Sequence, residues 1–415
     1  MSRLVKTLEF FALRRSMVGL LTMAVLIGMG EKMAERFLPV YLLALGSGAI
    51  LIGALNGMDN LLSALYSFPG GYLAERLGSK RALFVFNCIA MAGFVIVIAI
   101  PHWAAVFVGS VFFLSWTAIS LPATMDLVAK TLPRTKRTMG VSMHSLVRRI
   151  PMALGPMLGG ALIVLWGDVN GVRAAFVAAL AMAFAALLFQ QYMIEDDRNV
   201  GGVRAGAPRD AGPIALLRLM SPSLRRLLVA DILVRYCEQI PYAFIAIWCM
   251  KTIAAPVNGF QFGVLTAIEM VTAMLVYIPV AYLADRSRKK PFVIATFVFF
   301  ALFPAVLYFC RSFWWLVPAF ILRGLKEFGE PTRKALIMDL APEGRKAGMF
   351  GLYYLFRDVL VSVSAFASGF LWRLGPGVNF AVAFAFGLAA VIWFAALGTD
   401  TAEPAGPPSG AATGA

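Results

Sequence analysis

The stretch from Gly53 to Arg81 occurs twice. At a constant offset of 210 residues, Gly53 is answered by Gly263, Leu55 by Leu265, Asp59 by Glu269, and Pro69 by Pro279. Tyr72-Leu73-Ala74-Glu75-Arg76 is likewise answered by Tyr282-Leu283-Ala284-Asp285-Arg286. Each copy is a long apolar run with one acid deep inside it, closed by a short basic turn. An internal repeat built this way reads as a duplicated membrane half, which fixes the fold as two related bundles of apolar helices.

The composition agrees. A chain that is 60% hydrophobic and only 14% charged, with a mean hydropathy of +0.80, is too apolar for a soluble domain of this length. The net charge of +15 does not point to nucleic acid, because no soluble module offers a basic face. About 23 of the 37 Lys and Arg residues fall in the N-terminal segment and in alternate loops, against about four in the opposite loops. That bias puts both termini in the cytoplasm, and the cytoplasmic (inner) membrane is the expected location. Cys88, Cys237, Cys249 and Cys310 all lie in apolar segments without pairable spacing and read as free thiols. Neither histidine has a ligand partner at i+4; no metal centre, cofactor or catalytic constellation is expected. The first apolar run follows Arg14-Arg15 but continues through Glu31 to Leu45 without a small-residue cleavage site, so it is expected to remain in the protein.

Twelve spans are expected, at 17–45, 49–74, 81–100, 103–130, 138–166, 173–193, 224–250, 259–284, 291–310, 313–340, 346–373 and 378–397, each near or above the ~20 residues a bilayer requires. They group as an N-terminal six-helix bundle (17–193) and a C-terminal one (224–397), joined by a polar cytoplasmic linker (194–223). Residues 1–16 suit a basic amphipathic segment on the inner leaflet. The Ala/Gly/Pro-rich tail, 398–415, is expected to be disordered.

Gly71-Tyr72-Leu73-Ala74-Glu75-Arg76-Leu77-Gly78-Ser79-Lys80-Arg81 resembles the loop signature of the major facilitator superfamily, Gly-x-x-x-Asp-Arg-x-Gly-x-Lys/Arg, with Glu75 in place of the usual Asp. The second copy keeps Asp285-Arg286 and has Ala281 and Arg288 where the glycines stand. The resemblance extends over residues 16–397. It implies a secondary transporter, monomeric, whose signature loop joins spans 2 and 3 on the cytoplasmic side and helps lock the halves in one state. It further implies that spans 1, 4, 7 and 10 line a cavity, that 2, 5, 8 and 11 flank it, and that 3, 6, 9 and 12 face lipid. The charges fit this independently: spans 3, 6, 9 and 12 have none in their interiors. A charge at mid-bilayer costs about 2.5–3.5 kcal/mol on the insertion scale, so the remaining charges must face protein or a wet cavity.

Span 1 carries Glu31, Lys32, Glu35 and Arg36 on a stripe about 140° wide. Span 7 carries Asp231, Arg235 and Glu238 within about 60°. Span 10 carries Arg323, Glu327, Glu330 and Lys334 on one stripe with Lys326 beside it. The plain alternative is a set of i,i+4 ion pairs that hold the bundle together; as a set, intramembrane ionisable groups are functional candidates. Glu31, Glu35, Glu327 and Glu330 are candidates for protonation. Arg36, Arg235, Arg323 and Lys326 are candidates for gripping an anion, with Tyr236, Tyr242, Trp248 and Phe328 as possible walls. Asp59 and Glu269 have no base three or four positions away, so partners must come from other helices. In the resembled fold span 2 meets span 11 and span 5 meets span 8, which suggests interdomain gating pairs of Asp59 with Arg357 and of Glu269 with Arg148 or Arg149. Gly155-Pro156-Met157-Leu158-Gly159-Gly160 resembles the Gly-Pro-x-x-Gly-Gly core of that superfamily's antiporter signature; close packing through small residues is the competing reading. His102 and His144 read as interfacial or packing residues.

No Gly-x-x-x-x-Gly-Lys-Ser/Thr is present, so an ion gradient, expected to be protons, drives transport. The leading expectation is alternating-access export of a small amphipathic compound by proton antiport. The alternative is proton-coupled uptake of an organic anion, and a receptor or membrane enzyme on the same scaffold is the third class.

Overall fold

The computed structural model describes residues 15–114, 116, 119–120, 123–124, 127, 147–194, 219–284, 288–342 and 346–400. Every element among them is helical: α1 Arg15–Glu35, α2 Leu38–Ala44, α3 Ala49–Leu77, α4 Ser79–Ala99, α5 Trp103–Phe113, α6 Arg149–Met193, α7 Pro222–Tyr242 and α8 Phe244–Ile247. A π-helical turn, Trp248–Thr252, is followed by α9 Gly259–Ala284, α10 Lys289–Phe309, α11 Phe313–Leu325, α12 Glu330–Leu340, α13 Lys346–Leu374 and α14 Pro376–Leu397. Eight of these, α1, α3, α4, α6, α9, α10, α13 and α14, are long and apolar enough to cross a membrane.

Two departures from the expected spans have local causes. α6 runs through both the fifth and sixth expected spans, and its backbone leaves the helical region only at Gly167, with φ +77°. A Cβ on Gly171 would lie 2.5 Å from the Cα of Ile163, so the chain doubles back there as a hairpin. Conversely, the first, seventh and tenth expected spans are each interrupted near their charges. Prolines 39, 241 and 331 lack the N–H that would continue the ladder, and their rings clash with the carbonyl four residues back. Between α11 and α12 the backbone tightens to i→i−3 bonds, Phe328 N–H to Leu325 at 2.9 Å and Glu327 N–H to Gly324 at 3.2 Å. The freed Gly329 N–H donates to Thr296 Oγ1 at 2.6 Å. Elsewhere helix starts follow ordinary capping: Ser221 Oγ accepts from Leu224 N–H with Pro222 in the first turn. His102 caps α5, its Nδ1 accepting from Ala104 N–H at 3.2 Å. His144 lies outside the described residues.

The first half (up to residue 194) and the second (from 219) meet through small residues at the end away from the signature loop. A Cβ on Gly53 would lie 2.6 Å from the Gly369 nitrogen, one on Gly160 2.0 Å from the Gly259 oxygen, and one on Gly263 2.5 Å from the Met157 Cα. The 210-residue offset holds here too: Gly53 and Gly369 occupy the places that Gly263 and Gly159 hold in the other half. A Lys251–Asp168 ion pair, 2.6 Å, joins the halves at the same end. One apolar core runs through the first half and across this junction into Phe244, Phe262, Phe320 and Phe380. A separate core, built on Leu224, Phe297, Leu336 and Tyr353, belongs to the second half alone.

Closure at this end therefore depends on backbone-to-backbone approach. Gly160→Leu should hold the halves apart, because overpacking of this kind costs about 1–3 kcal/mol. A cysteine pair at positions 168 and 251 reports it: cross-linking by a short bifunctional maleimide should be efficient alone and fall about tenfold with Gly160→Leu. Unchanged yield would show that the glycine contact does not set closure.

Candidate functional site

α7 supplies the spine of the second half's charged core. Asp231, Arg235 and Glu238 recur every three or four residues and so share one face. Asp231 is fully buried and accepts from Arg333 of α12, from Tyr353 OH at 3.1 Å, and pairs with Arg357 of α13 at 3.5 Å. Arg333 also holds Glu330 at 2.5 Å, and Glu330 lies 3.8 Å from Arg235. Arg235 holds Glu238 at 2.5 Å, and Glu238 receives Lys326 Nζ at 2.7 Å. Lys326 and Arg323 converge on Glu269 of α9 at 3.5 and 3.1 Å. The result is one alternating-sign chain across five helices, from Glu269 to Arg357. Buried charges are tolerated only when paired and hydrogen-bonded in this manner.

The first half has a smaller cluster. Lys32 sits between Glu31, at 3.2 Å, and Glu35. Arg36 has no ion pair among the described residues; its guanidinium lies 5.2 Å from the Tyr242 ring centroid, with Arg323 5.8 Å from the same ring. Asp59 likewise has no ion-pair partner among the described residues. Both line a cavity between the halves of about 540 Å³, mouth included, together with Glu35, Asn56, Tyr242 and Arg323. Beside it Asn56 Nδ2 donates to Gln239 O at 3.1 Å and Asn60 Nδ2 to Gln239 Oε1 at 3.2 Å. Arg149 reaches Glu327 across the halves at 3.6 Å.

The gating pairs expected from sequence are not formed here. Glu269 pairs with Arg323 and Lys326 of its own half, and Arg357 pairs with Asp231 and with Asp358 at 2.7 Å. Arg149 goes to Glu327, and Arg148 lines a pocket with Glu31. Arg323 of α11 and Lys326 at its end belong to the same half as Glu269 and lie 3.1 and 3.5 Å from it. Asp59 lacks such neighbours because Phe113 and Trp116 stand at the repeat positions of Arg323 and Lys326.

Of the expected walls, Tyr242 lines the junction cavity. Tyr236 OH donates to Leu360 O, Trp248 stacks on Tyr308, and Phe328 stacks on Phe292. Gly155 and Gly159 pack on α1 against Lys32 and Met33, Gly160 packs on Gly259, and Pro156 O faces Gly263. In the signature loop Gly78 takes φ +83° before α4, Lys80 Nζ donates to Gln191 O at 3.1 Å, and Arg76 lies over Tyr72. Arg81 belongs to the same turn. The side chain of Glu75, the surroundings of Gly71, and Asp285 and Arg286 lie outside the described residues. This loop is about 28 Å along α3 from Asp59, so it is no part of the cavity.

Sequence reading missed Arg333, Tyr353, Asn56, Asn60 and Gln239 as site residues. Arg333 carried a usable signal, an arginine three residues after Glu330 inside a span. The others are uncharged, and only their contacts distinguish them.

The sequence model of the Major Facilitator Superfamily matches residues 20–254 and 227–414. No curated protein matches the chain by sequence. Among solved structures, a peptide transporter POT in complex with sulfate is similar at 16% identity, covering 92% of this chain and 94% of that one, with a TM-score of 0.75. A POT family transporter in complex with 5-aminolevulinic acid is similar at 12% identity, with 92% and 95% covered and a TM-score of 0.75. The nucleoside transporter NupG is similar at 13% identity, with 92% and 99% covered and a TM-score of 0.77.

Because Arg333 ties Asp231 to Glu330 out of contact with water, Arg333→Met should lower stability by about 3–5 kcal/mol. Adding Asp231→Asn should restore part of that loss, as removal of the stranded charge requires. Thermal unfolding in detergent checks both; additive losses would mean the pair is not coupled.

Proposed function

Since the chain belongs to the Major Facilitator Superfamily, we propose that it is a secondary transporter carrying a small organic solute with an anionic group, coupled to protons, by alternating access between its two halves. The observation that carries this reading is the cavity at their junction. There Arg36 and Asp59, a cation and an acid without ion-pair partners among the described residues, face one space with Arg323 and Glu35. An unpaired guanidinium is a site for a carboxylate or phosphate. An unpaired, half-buried acid such as Asp59 is where a proton can bind without first breaking an ion pair. The broken helices α1–α2 and α7–α8 end at this cavity, and interrupted spans mark binding sites in transporters of this architecture. The bias of Lys and Arg toward alternate loops supports a cytoplasmic signature-loop end in an inner-membrane protein, and with that orientation closure at the other end corresponds to a cytoplasm-facing state. Uptake by symport is the direction the cationic cavity favours.

Proton-coupled export of an amphipathic compound is the second reading, supported by Gly155-Pro156. In proteoliposomes containing a pH dye, with membrane potential clamped, symport of an added carboxylate acidifies the lumen, whereas antiport of an added organic cation makes it alkaline. Acidification by small carboxylates, lost at least tenfold in Asp59→Asn and Arg36→Met, is expected. Alkalinisation by cations alone would replace the first reading with the second; no proton movement with either pool would refute proton coupling.

A further inference from the structure

A second pocket lies within the first half, one to three helical turns along α1 from the junction cavity toward the signature-loop end. It is a narrow cleft, with about 470 Å³ of empty space when the open solvent at its mouth is counted, and its walls include Glu31, Trp116, Ser120, Thr124 and Arg148. Two features make it more than a gap between helices. Arg148 has no ion pair among the described residues; the nearby Glu31 is already held by Lys32 at 3.2 Å. Trp116 is locked in place by a buried chain that no neighbouring charge requires. Its Nε1 donates to Asn87 Oδ1 at 2.8 Å, Asn87 Nδ2 donates to Gln190 Oε1 at 2.9 Å, and Gln190 Nε2 donates to the Lys80 carbonyl at 2.7 Å. Asn87 and Gln190 are 1% and 0% exposed. Each donor in the chain has one acceptor, so the indole has one orientation, with its polar edge turned into the bundle.

We propose that this pocket is a binding station for planar organic anions, an aromatic carboxylate being the simplest, with Arg148 taking the anionic group, the Trp116 ring taking the planar body, and Asn87 and Gln190 acting as positioning residues for that ring. The chemistry follows from the parts. A guanidinium forks onto two carboxylate oxygens. A fixed indole prefers a flat partner to a branched aliphatic one of equal area. Thr124, buried beside them, supplies a hydroxyl. The proposal rests on the transporter reading for its place on a path toward Arg36, about 12 Å further along α1 from Gly28, but binding itself does not require transport.

The test uses the full-length protein in detergent, titrated calorimetrically with 1-naphthoate, cyclohexanecarboxylate and uncharged 1-naphthamide. Naphthoate should bind more tightly than either of the others. Arg148→Gln should weaken naphthoate about tenfold or more, and Trp116→Leu should remove the preference for naphthoate over cyclohexanecarboxylate. Asn87→Leu should reduce that preference while leaving Arg148-dependent binding of cyclohexanecarboxylate unchanged, a split that a general loss of folding would not produce. Equal affinity for all three probes, or naphthoate binding that is indifferent to Arg148→Gln and Trp116→Leu yet lost in Arg36→Met, overturns the station and leaves the transporter reading standing. Naphthoate binding with the expected variant pattern but no proton movement in proteoliposomes overturns proton coupling and leaves the station standing.

Discussion

A fully buried aspartate surrounded by cations is the constraint on which the second half depends. Asp231 is taken out of water entirely, and an isolated carboxylate there would carry a desolvation penalty of several kcal/mol. Arg333, Arg357 and Tyr353 meet it from two other helices. Each of those cations is itself buried and must be compensated in turn, which draws in Glu330, then Arg235, Glu238, Lys326 and Glu269. The chain of ion pairs thus fixes the relative positions of α7, α9, α11, α12 and α13 more strictly than apolar contact does, because lipid tails offer helices no hydrophobic reason to associate.

The first half is built on a different rule. Of its repeat positions opposite that network only Asp59 is charged, and its closest contacts with the second half run through glycine backbones at Gly53, Gly160, Gly259 and Gly369. Close backbone approach gives dispersion over a wide surface, and the ion pairs that cross the junction, Lys251–Asp168 and Arg149–Glu327, are only partly buried. A bundle held this way can separate and reclose without stranding a buried ion, whereas separating the second half's network would strand several. The asymmetry suits one half that is internally rigid and a junction that moves.

Where these two designs meet, compensation is left incomplete. Arg36 and Asp59 lie at the junction without ion pairs among the described residues, flanked by helix breaks that prolines impose. Arg148 stands similarly in the first half beside an indole held by Asn87. Unsatisfied charge is tolerable there because both spaces are open at a mouth and water can reach them. The same openness is what allows a solute or a proton to arrive.

The sequence by itself determined the membrane class, the two-fold repeat, the family and the silence of every third span, because these rest on composition and on spacing along the chain. It also located the charged stripes on α1, α7 and α11–α12, since a 3.6-residue period fixes which residues share a face. It could not choose partners. Glu269 was expected to reach Arg148 or Arg149 and instead meets Arg323 and Lys326; Arg357 was expected at Asp59 and instead meets Asp231. Which of several bases reaches an acid depends on distances between helices, and those are set by packing. The same holds for Asn87, Gln190 and Trp116: as letters they are ordinary polar and aromatic residues, far apart in the chain. Only the tertiary structure makes them one chain of hydrogen bonds, because only there do α4, α6 and Trp116 share a dry interior.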